Sequence, residues 1–314
     1  MPSQSRFPVV PASFFGIVLG LTGLGGDWRI AHRIWNVPAA IGETLMLLAT
    51  IVWLILLVLY VAKWIFMQPI AKKELQDPIQ CCFVGLVGVS AMLIAGVAIR
   101  YYRTIAEVLW VAGMLYTLAF AAWRTGGLWQ GGREVEDTTA VLYLPAVAGS
   151  FVTAIVASAL GYRDWGELAF GAGLFSWLAV ESVFIHRLYT AVALPPPLRP
   201  TLGLQLAPPS VAALAYLSVN NGAPGLVAHA LIGYAFLQAL VLIRLMPWMK
   251  EQPFSAAYWA FTFGITALVA ASLRLVERDD SGPVALLAPY LFAAVNLVML
   301  GIIAGTLRFL ARDG

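Results

Sequence analysis

The chain has 314 residues, 61% of them hydrophobic and only 11% charged, with a formal net charge of +3. A soluble domain carries about 25% charged residues, so this composition, with a mean hydropathy of +0.84, excludes a soluble protein and reads as an integral membrane protein. Lys and Arg stand at the ends of apolar runs rather than in one patch, which leaves nucleic-acid binding without support.

A spanning helix takes about 20 mainly apolar residues. Ten segments fit, near 8–25, 38–62, 79–99, 104–123, 141–160, 166–186, 203–219, 225–246, 256–275 and 284–307. The pattern predicts an all-α membrane protein with one transmembrane domain over 1–314, built as hairpins near 8–62, 79–123, 141–186, 203–246 and 256–307. The first apolar run begins near Phe7 without a strongly basic leader, so no signal peptide is expected. The longest polar connection, Arg124 to Ala140, has no room for a soluble catalytic or nucleotide-binding domain. Neither enzymatic activity nor ATP-driven pumping is expected.

With ten spans, twelve Lys and Arg, Arg6 among them, fall on the side of the termini and seven on the other. That excess predicts cytoplasmic termini. A basic residue closes each even segment: Lys63, Arg124, Arg187, Arg244 and Arg308. The odd segments carry Gly16, Gly85, Pro145, Pro208 and Gly264 at similar spacing. Two markers in step suggest a hairpin repeat, although ten evenly sized helices would give similar intervals.

None of the five odd cores contains Asp, Glu, Lys, Arg or His, whereas Glu43, Glu107 and Glu181 lie in even segments. Pro145 and the Pro208-Pro209 pair remove backbone donors. Such breaks persist in a membrane where neighbours or a water-filled cavity satisfy the freed groups. The odd helices are therefore expected to surround a cavity, with the even helices outside. Its wall would offer glycines, hydroxyls and backbone dipoles without fixed charge, a lining that holds an anion loosely enough to release it. Candidate lining residues are Gly16, Gly20, Gly85, Pro145, Pro208, Phe261, Thr262 and Gly264. Phe261 and Phe263 both offer a ring that could close a narrow pore by excluding water, and two residues apart they point to nearly opposite helix faces.

Glu181, about one turn from His186 and Arg187, is read as the acid of a structural ion pair with Arg187. Glu43 and Glu107 lie near segment starts and are expected to reach the interface. The three histidines stand near different segment ends, so neither haem nor another cofactor is expected, and no metal site. Adjacent Cys81 and Cys82 cannot form a disulfide framework and are read as packing residues.

Several motifs in order resemble the tellurite-resistance/dicarboxylate transporter family, which includes the slow anion channels of plant guard cells and their bacterial homologues. They are Phe15-Gly16, Leu19-Gly20-Leu21, Leu128-Trp129-Gln130-Gly131-Gly132, Tyr143-Leu144-Pro145-Ala146-Val147-Ala148, Phe170-Gly171-Ala172-Gly173, Gly233-Tyr234-Ala235-Phe236-Leu237-Gln238, Arg244-Leu245-Met246-Pro247-Trp248 and Trp259-Ala260-Phe261-Thr262-Phe263-Gly264. The resemblance implies ten helices in a quasi-fivefold arrangement around a pore. It also implies a homotrimer in a bacterial inner membrane and a ninth-helix phenylalanine, here Phe263, that blocks each pore. Gly16 matches a glycine that keeps the wall close and uncharged. Val18 departs from relatives that carry proline, so the first helix is expected to be less kinked. No counterpart of the long phosphorylated termini of the plant channels is expected, and no kinase control of that kind. The expected function is conduction of small monovalent anions such as chloride or nitrate. The alternatives are a carrier of C4-dicarboxylates or tellurite-type oxyanions, with or without proton coupling, and a membrane anchor subunit of a redox enzyme.

Overall fold

The computed structural model describes residues 8–313; Arg6, counted in the charge asymmetry, lies outside them. Every regular element among these residues is helical. A 3₁₀ turn at Ala12–Phe14 leads into α1 (Phe15–Trp35), which ends where Asn36 takes a left-handed φ of 52° and returns its N–H to His32 O. Pro38 then opens α2 (Ala39–Phe66). The short amphipathic α3 (Gln68–Gln76) falls in the connection between the second and third expected spans.

The third apolar run is broken at Gly85 into α4 (Gln80–Phe83) and α5 (Leu86–Ala98), followed by α6 (Arg103–Trp129). Pro145 falls in a π-helical turn, Leu144–Ala148, before α7 (Gly149–Ala159). A wider turn is the expected response to a missing backbone donor. The chain continues as α8 (Arg163–Thr190), a 3₁₀ segment at Pro196–Leu206, α9 (Ala207–Val219) and α10 (Gly225–Met249). It closes with α11 (Ala260–Val276) and α12 (Pro283–Asp313).

Sequential pairs pack as hairpins: α1 with α2, α5 with α6, α7 with α8, α9 with α10, and α11 with α12. The first members also touch in a closed cycle, α1 to α5, α5 to α7, α7 to α9, α9 to α11, and α11 back to α1. Burial separates the two sets. Over their most apolar stretches the spans ending in α5, α7, α9 and α11 are 67–83% buried, against 17–28% for α2, α6, α8, α10 and α12. The inner helices thus form the core, and the outer ones expose Leu, Ile and Val on the outer surface.

Among the described residues nine helices are long and apolar enough to cross a membrane. The first expected span is not one of them. Its helix runs ten residues past the expected limit at 25, so that Asp27, Arg29, His32 and Arg33 belong to α1 and lower its hydropathy. The expectation that the odd segments lack ionisable groups therefore fails at α1. Asp27 is fully buried there, and neither carboxylate oxygen has a partner.

Candidate functional site: two cavities meeting at one phenylalanine

The helix ring encloses two cavities. The one on the side of the termini is about 460 Å³ and is walled by Ser13, Gly16, Tyr143, Thr201, Pro208, Trp259 and Phe263, among others. Among the described residues no Asp, Glu, Lys, Arg or His lines it. The far cavity is about 560 Å³ and is lined by Phe263, Thr22 and Thr266 and by Arg29, Arg33, Arg100 and Arg274, among others. Phe263 and Val211 line both. Val211 was not singled out from sequence, although it lies one turn beyond Pro208 on the same helix.

Two tight seams fix the orientation of Phe263. Successive residues of a helix are turned by about 100°. On one side Thr262 is fully buried against Gly20, where an added Cβ would stand 2.7 Å from the threonine Cβ. On the other, Gly264 lies against the 206–207 backbone, and a Cβ there would stand 2.8 Å from Ala207 N. With both neighbours clamped, the ring between them is directed at the space shared by the cavities. Phe261 does not compete for that place. It is 9% exposed, stacks on Tyr258 with centroids 6.2 Å apart, and fills the gap over Gly203.

Of the other lining candidates, Gly16 and Pro208 border the terminus-side cavity. Gly20, Thr262 and Gly264 are seam residues instead, because two inner helices can approach closely only where a Cβ is missing. Gly85 packs on Phe120, and Pro145 opens onto a lateral groove between α6, α7 and α8 rather than onto the central cavities.

The far mouth is charged, which the sequence did not reveal. Arg29 grips Glu43 with Nε–Oε1 3.0 Å and Nη2–Oε2 2.7 Å, and Arg100 adds 2.7 Å to Oε1. Across the mouth Glu277 is shared by Arg33 and by Arg274, the latter at 3.1 Å. Four guanidiniums against two carboxylates leave the rim net positive. Burial alone would raise the Glu277 carboxyl, but the Arg33 hydrogen bond and the Arg274 charge outweigh it and hold it below the usual carboxylate range.

The expected Glu181–Arg187 ion pair does not form. Six residues along a helix leave two side chains about 120° apart, and Glu181 turns toward the helices beside it. Its oxygens meet Tyr143, Trp177, Gln205 and Tyr234 at 2.6–2.8 Å. Arg187 is buried, and its Nε and Nη2 have no partner. Glu107 lies near the start of α6 and pairs with Arg103 at 2.9 Å. Both cysteines are buried and unbonded to each other. No group of three or more His, Cys, Asp or Glu among the described residues could hold a metal ion.

A family model described as "SLAC1: Voltage-dependent anion channel" matches residues 9–307. The chain belongs to the SLAC1 family. It is 34% identical over 295 residues to the "Tellurite resistance protein TehA homolog" of Haemophilus influenzae, covering 94% of this chain and 89% of that one. It is 24% identical to the "S-type anion channel SLAH3" and to the "Guard cell S-type anion channel SLAC1" of Arabidopsis thaliana, spanning 51% and 53% of their lengths. The chain thus covers about half of those plant relatives. SLAC1-family members are membrane anion channels or transporters, not enzymes. The multi-pass membrane reading rests on this kinship together with the nine apolar helices.

Proposed function

We propose that the chain is an anion channel passing small monovalent anions, such as chloride and nitrate, through the space inside its inner helices, and that Phe263 closes this space. One observation carries the reading: the same ring borders both cavities. A benzyl group in an apolar constriction blocks ions by keeping water out. The terminus-side cavity offers hydroxyls and, among the described residues, no fixed counter-charge. The net positive far mouth concentrates anions before they enter. In this reading α1 is the tenth span, the ten spans form five hairpins around a quasi-fivefold axis, and both termini are cytoplasmic in a bacterial inner membrane. The subunits form a homotrimer with one pore each, embedded in lipid through their outer helices.

The test is current recording from reconstituted protein, wild type against Phe263→Ala. The variant is expected to carry a much larger current that reverses at the chloride equilibrium potential. A flux that saturates and requires a proton gradient would instead establish a carrier of dicarboxylates or oxyanions. Light scattering of the detergent-solubilised protein tests the trimer.

A further inference from the structure

The two carboxylates of the far mouth are held in different ways. Arg29 meets Glu43 side-on, its Nε at 3.0 Å from Oε1 and its Nη2 at 2.7 Å from Oε2. The turn between α5 and α6 adds one donor to each oxygen. Arg100 Nη1 lies 2.7 Å from Oε1, and the Tyr101 hydroxyl donates to Oε2. Glu277 has no such fork: Arg33 takes one of its oxygens and Arg274 the other.

Four donors aimed at two coplanar oxygens describe a receptor as well as an ion pair. A side-on guanidinium matches a carboxylate edge in spacing and in plane, which a lysine ammonium cannot do. A spherical ion such as chloride offers one centre where these donors converge on two. The receptor is also the better fixed partner. The Arg29 side chain is 12% exposed and that of Glu43 30%. Arg29, Glu43 and Arg100 all line the far cavity, so the Glu43 carboxylate has open space to turn into.

Its departure alone is costly, because it strands a nearly buried guanidinium without counter-charge. The cost disappears when another carboxylate takes the vacated place. We propose that Arg29, Arg100 and Tyr101 form a binding site for a small monocarboxylate of the size of formate, and that Glu43 is its tethered occupant, exchanged when the free anion enters. Glu43 competes from a high local concentration, so a free anion is bound weakly and leaves readily. That behaviour suits a station at the entrance of a conduction path. Its place on such a path rests on the channel reading, whereas the binding site rests on the contacts around Glu43.

The test is line broadening of carbon-13 formate by the purified full-length protein in detergent, at constant ionic strength. Glu43→Gln removes the charge of the occupant and keeps its length, and it is expected to bind formate at least about tenfold more tightly than wild type. Arg29→Lys keeps the charge and loses the fork, and it is expected to abolish the broadening. An equal concentration of chloride is expected to leave most of the broadening in place. Equal formate affinity in wild type and Glu43→Gln would overturn the role of Glu43. Broadening retained in Arg29→Lys would overturn the fork, and full displacement by equal chloride would overturn the preference for carboxylate. Should Glu43→Gln not fold, wild type against Arg29→Lys decides: formate broadened by neither protein would overturn the exchange. Formate binding without anion current would keep this site and remove the channel reading, and current without formate binding would do the reverse.

Discussion

Gly23 faces Thr266 so closely that a Cβ on the glycine would stand 2.7 Å from the Cβ of the threonine. Thr266 cannot turn away cheaply, since its hydroxyl donates to Thr262 O at 2.9 Å. The seam therefore fixes how far apart α1 and α11 lie, and with it the position of the ring at 263.

Gly23→Val is expected to lower stability by about 1–3 kcal/mol, the usual cost of overfilling a packed interface. Gly16 has nothing within 4 Å of an added Cβ, so Gly16→Ala should stay within about 0.5 kcal/mol of wild type. Thermal denaturation in detergent measures both. Equal losses from the two substitutions would refute the seam.

The two phenylalanines of α11 separate stability from occlusion. Phe261→Ala is expected to cost about 3–5 kcal/mol, because it empties a packed site over Gly203, and to leave anion current at the wild-type level. Val211→Ala should raise the current, though less than Phe263→Ala, since a smaller side chain is removed from the shared boundary. Recordings that rank Phe261→Ala above Phe263→Ala would reverse the assignment of the rings.

Lys63 and Glu74 form a buried pair at 2.6 Å, and both hold the entry to α1: Lys63 Nζ donates to Val10 O, and Ala12 N donates to Glu74 Oε1. Glu74→Ala leaves a buried ammonium without its counter-charge, expected to cost about 3–5 kcal/mol. The double variant Lys63→Met, Glu74→Leu should recover most of that loss in the same melting assay. No recovery would show that the carboxylate matters through Ala12 alone.

Glu277 gives the far mouth an acid limb. A carboxyl whose folded value is depressed adds stability above its unfolded value, and that contribution is lost as pH falls through the folded one. Protonation below the usual carboxylate range also frees Arg33 and Arg274 and makes the rim more positive. The wild-type melting temperature is expected to fall on that acid side, and Glu277→Gln to flatten the fall. Superimposable pH profiles for the two proteins would remove Glu277 from this role.

The hairpins were legible because lipid demands long apolar runs, and four of the five inner spans were recognisable by their lack of charge. The first was misjudged where hydropathy stops being informative: glycines and Asp27 in α1 look like a helix end, yet they face other helices rather than water. The ring at Phe263 was chosen by family resemblance, since spacing alone leaves Phe261 equal to it. The Glu181 cluster and the Arg–Glu mouth were not readable at all. Gln205, Tyr143 and Tyr234 lie 24, 38 and 53 residues from Glu181, and Arg33 lies 244 from Glu277. Only the closing of the ring brings them together.

Two cavities that approach each other from opposite sides share a boundary at Phe263 and Val211. Once both hold electrolyte, the membrane voltage falls across that boundary instead of the full hydrocarbon thickness of about 30 Å. In the proposed channel, an anion crossing that boundary would gain about 2.3 kcal/mol for every 100 mV. The electric field is then concentrated on one aromatic ring, and whatever tilts that ring acts where the driving force is greatest.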